Sequence, residues 1–275
     1  MKRRLSETRG PAAGVAAFRI MLSVLGLVRT CRFAHVVAFF YALFDRSARE
    51  SARPYLQRRF PGIGGLRFFR ACWKLFASQG EALVMAEAAS RGMLVSKERN
   101  SQEFHSLAKE SRGLVLAGAH FGPWQAAMRY MDSSPKPRCF LAEIDKNAEV
   151  DKFHALGESA RVIPIRNGTD WVLEAYDALE HGFALGLLGD RGAAADSVAC
   201  ERVPFLGGSA RFPLFPFLIA SRAGAPVLPF VAYKDGPKRG LVVEIGPPLR
   251  PTGGRRSESL RRCVREYAAF LERAA

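Results

Sequence analysis

From Gly113 onward, short apolar runs alternate with amphipathic stretches of helix length. Short apolar runs bounded by turn residues suit strands buried on both faces. Strands separated by helices form parallel sheets, because a parallel neighbour is reached only through a crossover. The runs lie at 114–119, 139–144, 162–165, 183–188, 227–232 and 241–245, with helices expected at 123–131, 148–157, 169–181, 212–223 and 256–273. The pattern predicts an α/β fold, a mostly parallel sheet flanked by helices.

Residues 1–110 read differently. Helices are expected near 14–28, 33–44, 67–79 and 81–91, interrupted at Arg53-Pro54 and by the glycine-rich 61–65, and no strand signal is present. The chain therefore divides into a helical N-terminal part, 1–110, and an α/β part, 111–275, folded together as one compact unit. Residues 12–44 are markedly apolar, yet Arg19, Arg29 and Arg32 interrupt them, and the longest uncharged run, 33–44, has twelve residues. A membrane-spanning helix needs about 20. Aromatic and aliphatic residues on one side with arginines reaching the headgroups predict instead an interfacial, membrane-associating segment. The competing readings are two core-packed helices, or one tilted span with Arg19 drawn toward the interface.

The chain carries 41 Lys plus Arg against 26 Asp plus Glu, a formal net charge of +15, and Arg outnumbers Lys 32 to 9. This favours phosphate- or carboxylate-bearing partners: an anionic membrane surface, a phosphorylated lipid or an acidic carrier protein. The basic residues are scattered without a recognition motif, so no nucleic-acid partner is expected. Five widely spaced cysteines without a C-x-x-C pair indicate neither a disulfide framework nor a zinc site. His35, His105, His154 and His181 show no ligand spacing, so neither metal nor cofactor is expected. Ser133-Ser134-Pro135-Lys136 matches S-x-x-K but sits in a turn without companion motifs and reads as a loop.

Two segments carry candidate chemistry, each where an apolar strand ends. In Gly118-Ala119-His120-Phe121-Gly122-Pro123-Trp124-Gln125, Pro123 suits the first position of a helix, whose free N–H groups would favour an anion. His120 beside it is placed to remove a hydroxyl proton near neutral pH. In Gly189-Asp190-Arg191-Gly192, Asp190 would orient a donor and Arg191 would hold a phosphate or a developing oxyanion. Arg166, after a third strand, is a further candidate at the same edge of the sheet.

These blocks occur in order with Phe205-Leu206-Gly207, Ala210 before an apolar helix, and the run from Ala223 to Pro229. The ordered set resembles the lipid A late acyltransferases, over most of the chain. The resemblance implies transfer of a fatty acyl chain from acyl carrier protein, or coenzyme A, to a hydroxyl of a phosphorylated glycolipid at the cytoplasmic face of the inner membrane. It also implies a catalytic pair at His120 and position 125, with Phe121, Gly122, Trp124, Asp190 and Arg191 around the substrate. The family pattern places an acid four residues beyond its histidine's neighbour, where this chain has Gln125, and an Asp-Gln where it has Asp190-Arg191. An amide lacks the charge that stabilises an imidazolium. Either another carboxylate, such as Glu143 or Asp190, supports His120, or the protein is a catalytically weakened relative that mainly binds lipid.

Overall fold

The computed structural model describes residues 12–130, 134–143, 160–165, 169–191, 199–236 and 240–275. Three helices come first: α1 (Ala12–Phe44), α2 (Arg46–Arg59) and α3 (Gly65–Ser90). A short strand β1 (Ser96–Arg99) and helix α4 (Gln102–Leu107) lead into β2 (Leu114–Gly118), α5 (Trp124–Tyr130), β3 (Arg138–Glu143) and β4 (Arg161–Ile165). Next come α6 (Asp170–Glu180), β5 (Ala184–Leu188), a hairpin of β6 (Cys200–Phe205) and β7 (Gly208–Pro213), and α7 (Phe215–Ala223). The chain closes with β8 (Val227–Asp235), β9 (Gly240–Ile245) and α8 (Glu258–Ala274).

Seven strands form one sheet in the order β1-β9-β8-β2-β5-β3-β4. The five from β8 to β4 are mutually parallel, while β9 runs antiparallel to β8, with β1 parallel to β9 at the edge. The expected mostly parallel sheet flanked by helices is therefore present. Central β2 shows why its signal was continuous rather than alternating. Leu114 and Leu116 enter the core with Met85, Phe104 and Phe140, and Val115 and Ala117 enter the opposite core with Leu185, Phe217 and Tyr267. Side chains alternate between faces, and both faces are covered.

Several elements depart from the sequence expectation. Strand β1 was missed because Ser96-Lys97-Glu98-Arg99 is polar and fully exposed; its place comes from pairing with β9. The hairpin β6–β7 occupies what read as loop and helix start. Helix α3 runs unbroken through residue 80, and Gly80 is the point of close approach to Ala34, whose Cβ would lie 3.3 Å from a Cβ there. Helix α1 continues through 29–32 and instead breaks at Gly26, in the left-handed region at φ 75°; the buried Thr30 hydroxyl donates to the Gly26 carbonyl at 2.9 Å. The helix expected at 148–157 lies outside the described residues. Buried Lys136 donates to the Glu110 and Arg112 carbonyls at 2.5 and 2.7 Å, clamping the opposite end of the sheet from the end of β2.

Helices α1 and α3 pack antiparallel. Arg19 meets Glu87 at one end, Phe39 meets Trp73 and Phe69 at the other, and Cys31, Ala34, Ala38 and Ala42 form the buried stripe between. The outward side of α1 stays apolar: Val24, Val36, Phe40 and Phe44 are exposed. By length and composition Ala16–Phe44 suffices to cross a membrane.

Candidate functional site

Strands β2 and β5 are parallel neighbours in a register that pairs Leu114 with Ala184 and Gly118 with Leu188. The ladder continues one step, with the Gly189 N–H donating to the Gly118 carbonyl at 2.8 Å. The same offset of 70 residues then sets His120 beside Asp190. The imidazole Nδ1 lies 2.9 Å from Asp190 Oδ1, and the backbone N–H of His120 donates to the other carboxylate oxygen at 3.2 Å. One carboxylate thus grips both the ring and the main chain of the same residue. It selects the tautomer with the proton on Nδ1 and leaves the Nε2 lone pair free.

Burial raises the proton affinity of Asp190, but hydrogen bonds from His120, its charge, and the charge of Arg191 outweigh it and hold the carboxyl below its ordinary value. It is an anion at neutral pH. Its side chain is 21% exposed and that of His120 35%, so the pair is partly desolvated while the imidazole still faces solvent.

Close packing shapes the turn after β2. Gly122 has φ 55°, and a Cβ there would stand 2.1 Å from the Ala232 carbonyl of β8. A Cβ on Gly118 would enter the Phe230 ring at 2.4 Å. Pro123 stands just outside α5 rather than in its first turn, accepting from the Ala126 and Ala127 N–H groups. Trp124 meets the imidazole edge-on at 5.9 Å, and Phe121 packs against the core beneath α6, α7 and α8.

Tyr267 of α8 carried no distinguishing sequence signal, since it reads as one more apolar position of an amphipathic helix. It is fully buried, and its hydroxyl donates to the Gly118 carbonyl at 2.5 Å. Burial first, then the charge of Asp190, raises its pKa well above the ordinary value, so the hydroxyl keeps its proton. It braces the strand two residues before His120.

The sequence candidates fall into three groups. His120, Asp190, Arg191, Phe121, Gly122 and Trp124 lie at the shared end of β2 and β5, with Arg191 exposed beside Asp190. Gln125 is half-buried on α5, and the group at the imidazole Nδ1 is Asp190 rather than Gln125. Arg166 lies outside the described residues, and Glu143 ends β3. His105 and His181 pair with Glu98 and Asp177. Among the described residues no group of His, Cys, Asp and Glu could hold a metal ion.

The family model for bacterial lipid A biosynthesis acyltransferases matches residues 4–274. Among solved structures the chain is similar to the 1-acyl-sn-glycerophosphate (LPA) acyltransferase PlsC from Thermotoga maritima, at 16% identity and a TM-score of 0.41, over 87% of this chain and 96% of that one. No curated protein matches.

Proposed function

The chain belongs to the bacterial lipid A biosynthesis acyltransferases and is an enzyme of acyl transfer to lipid; from that premise we propose that it moves a fatty acyl chain from an acyl carrier protein or coenzyme A thioester to a hydroxyl of a phosphorylated glycolipid. The observation that carries this reading is the 2.9 Å contact between His120 Nδ1 and ionised Asp190. With Nδ1–H committed to Asp190, Nε2 takes the proton of the acceptor hydroxyl as its oxygen attacks the thioester carbonyl. The imidazolium is stabilised by the adjacent carboxylate. Collapse of the tetrahedral intermediate breaks the carbon–sulfur bond, and the imidazolium returns its proton to the departing thiolate. Arg191 serves as the charge that meets the oxyanion or an acceptor phosphate.

The absence of an acid at 125 was the ground for a lipid-binding protein without chemistry. Asp190 supports the opposite reading, because it supplies the missing charge from a neighbouring strand. We further read the α/β part as the seat of catalysis and the outward face of α1 as its attachment to the cytoplasmic leaflet of the inner membrane, where anionic lipid suits the +15 charge. The test is purified protein with acyl carrier protein and coenzyme A thioesters and a phosphorylated glycolipid acceptor. Transfer by the wild type with none by His120→Ala supports the assignment; transfer undiminished in His120→Ala overturns it.

A further inference from the structure

The β6–β7 hairpin holds two arginines for which acyl transfer at His120 has no use: Arg202 and Arg211 are paired across one rung of the ladder. Directly opposed side chains in an antiparallel pair share a face with Cβ atoms about 4.5–5.5 Å apart, and like charges there are destabilising. Packing does not require them. The inward face carries Val203, Phe205 and Phe212, with Phe205 stacked edge-on to Phe212 at 5.3 Å and Phe212 to Tyr267 at 5.9 Å. The outward face carries Arg202, Pro204, Ser209 and Arg211, all exposed. Glu201 turns inward to Arg261 and Arg265 of α8, at 3.6 and 3.7 Å. Among the described residues no carboxylate pairs with Arg202 or Arg211.

We propose that Arg202 and Arg211, with the Ser209 hydroxyl, form a binding site for a phosphate group of the acceptor lipid's head. The proposal rests on the acyl-transfer reading above. Two guanidiniums one rung apart, each a planar fork of donors, suit a single compact dianion. A lipid is favoured over an acidic protein by what adjoins the hairpin. The Arg58 side chain of α2 lies against its tip, 3.5 Å from where a Cβ on Gly208 would stand, and exposed Phe60 follows the end of that helix. The tip therefore abuts the helical part that carries the exposed apolar surface. The hairpin's inner face rests on Tyr267, which holds Gly118 just before His120.

The experiment compares wild type, Arg202→Gln/Arg211→Gln, Arg202→Lys/Arg211→Lys and Arg211→Glu. Binding is measured to phosphatidylcholine vesicles with and without a few per cent of a bisphosphorylated glucosamine lipid. The Gln pair should lose the phosphate-dependent increment of binding by about tenfold or more, as expected for charge-assisted hydrogen bonds, and bind plain vesicles like wild type. The Lys pair should retain part of it. Arg211→Glu gives Arg202 an opposite charge across the rung, so its melting temperature should equal or exceed that of wild type while phosphate-dependent binding falls. In steady-state transfer the Gln pair should raise KM for the acceptor with kcat and the donor KM unchanged. Unchanged vesicle binding in the Gln pair overturns the proposal, as does a rise in the carrier-protein KM alone, which would assign the face to an acidic protein. Tight binding of inorganic phosphate to wild type, undiminished in the Gln pair, overturns it as well. If wild type transfers no acyl group, the function reading fails while the vesicle measurements still decide the phosphate site.

Discussion

A carboxylate at 125 and one at 190 approach an imidazole from different directions. Position 125 lies in the first turn of α5 and position 190 at the end of the adjacent strand, where the same carboxylate also accepts the backbone N–H of His120. Asp190→Asn keeps the shape but removes the charge and the tautomer preference; the comparable change in a serine-protease triad costs about 10⁴ in rate. We expect kcat/KM to fall by about 10³–10⁴, read in a single-turnover acyl-transfer assay. Gln125→Glu should give no gain and a modest loss, because a second anion beside an already paired imidazole over-stabilises its protonated form; a clear increase would show that Asp190 does not hold the role. The same charge leaves a mark on stability. A carboxyl whose pKa is lower folded than unfolded stabilises the fold above its unfolded value, near 3.9, and loses that contribution as pH falls through the lower folded value. Urea denaturation should therefore separate wild type from Asp190→Asn at pH 7, with the gap closing on acidification below about pH 4. His120 and Asp190 were each legible in the sequence because each follows an apolar strand. That Asp190 rather than Glu143 supports His120 was not, since it depends on β5 inserting between β2 and β3, a long-range order that no local pattern encodes. Tyr267 was illegible for a related reason: its hydroxyl acts across 149 residues of sequence.

At the scale of elements, the strands that periodicity revealed are apolar runs, from β2, buried on both faces, to β4, where Ile163 alone is buried, and those it missed are held by partners. Strand β1 has no apolar residue and exists through β9; the β6–β7 hairpin mixes arginines with proline, and its inner face gains meaning only against α8. The turn between β2 and α5 depends on one glycine. Gly122→Ala imposes a left-handed backbone on an alanine, costing about 1–3 kcal/mol, and also drives a methyl group into the Ala232 carbonyl. The turn must shift to relieve the contact, which moves His120 from Asp190. We expect a lower melting temperature together with at least a hundredfold loss of kcat/KM, a size consistent with an ångström-scale displacement. Retained activity with lowered stability would instead mean that strand β8 yields and the turn keeps its form.

At the scale of the whole molecule, buried Glu81 links the long helices to the sheet. This residue of α3 receives Lys234 of β8 at 3.0 Å and contacts His35 Nε2 of α1 at 2.9 Å, so one carboxylate ties both long helices to the sheet, on the strand whose Ala232 carbonyl confines Gly122. Glu81→Gln should cost about 1–3 kcal/mol, the range for stranding a polar partner, read by denaturation. Beyond that contact, no described residue covers the outward side of α1. Val36 and Phe40 are half exposed, Val24 and Phe44 are three-quarters exposed, and Arg29 and Arg32 stand exposed on the same helix. Its inner stripe of alanines and Cys31 is already spent on α3. An exposed apolar surface interspersed with arginines is the composition of an interfacial helix, and the break at Gly26 divides that helix into two shorter rods. Burying each exposed valine or phenylalanine in lipid contributes about 1.5–3 kcal/mol at most. Val36→Glu/Phe40→Glu should therefore weaken co-sedimentation with anionic vesicles by at least a hundredfold. It should spare the melting temperature, because neither side chain enters the protein core. Raised salt should weaken wild-type binding only in part, since screening removes the attraction of Arg29 and Arg32 but not the apolar insertion. Vesicle binding that persists in the double variant, or that disappears entirely in salt, would place the attachment elsewhere on the basic surface.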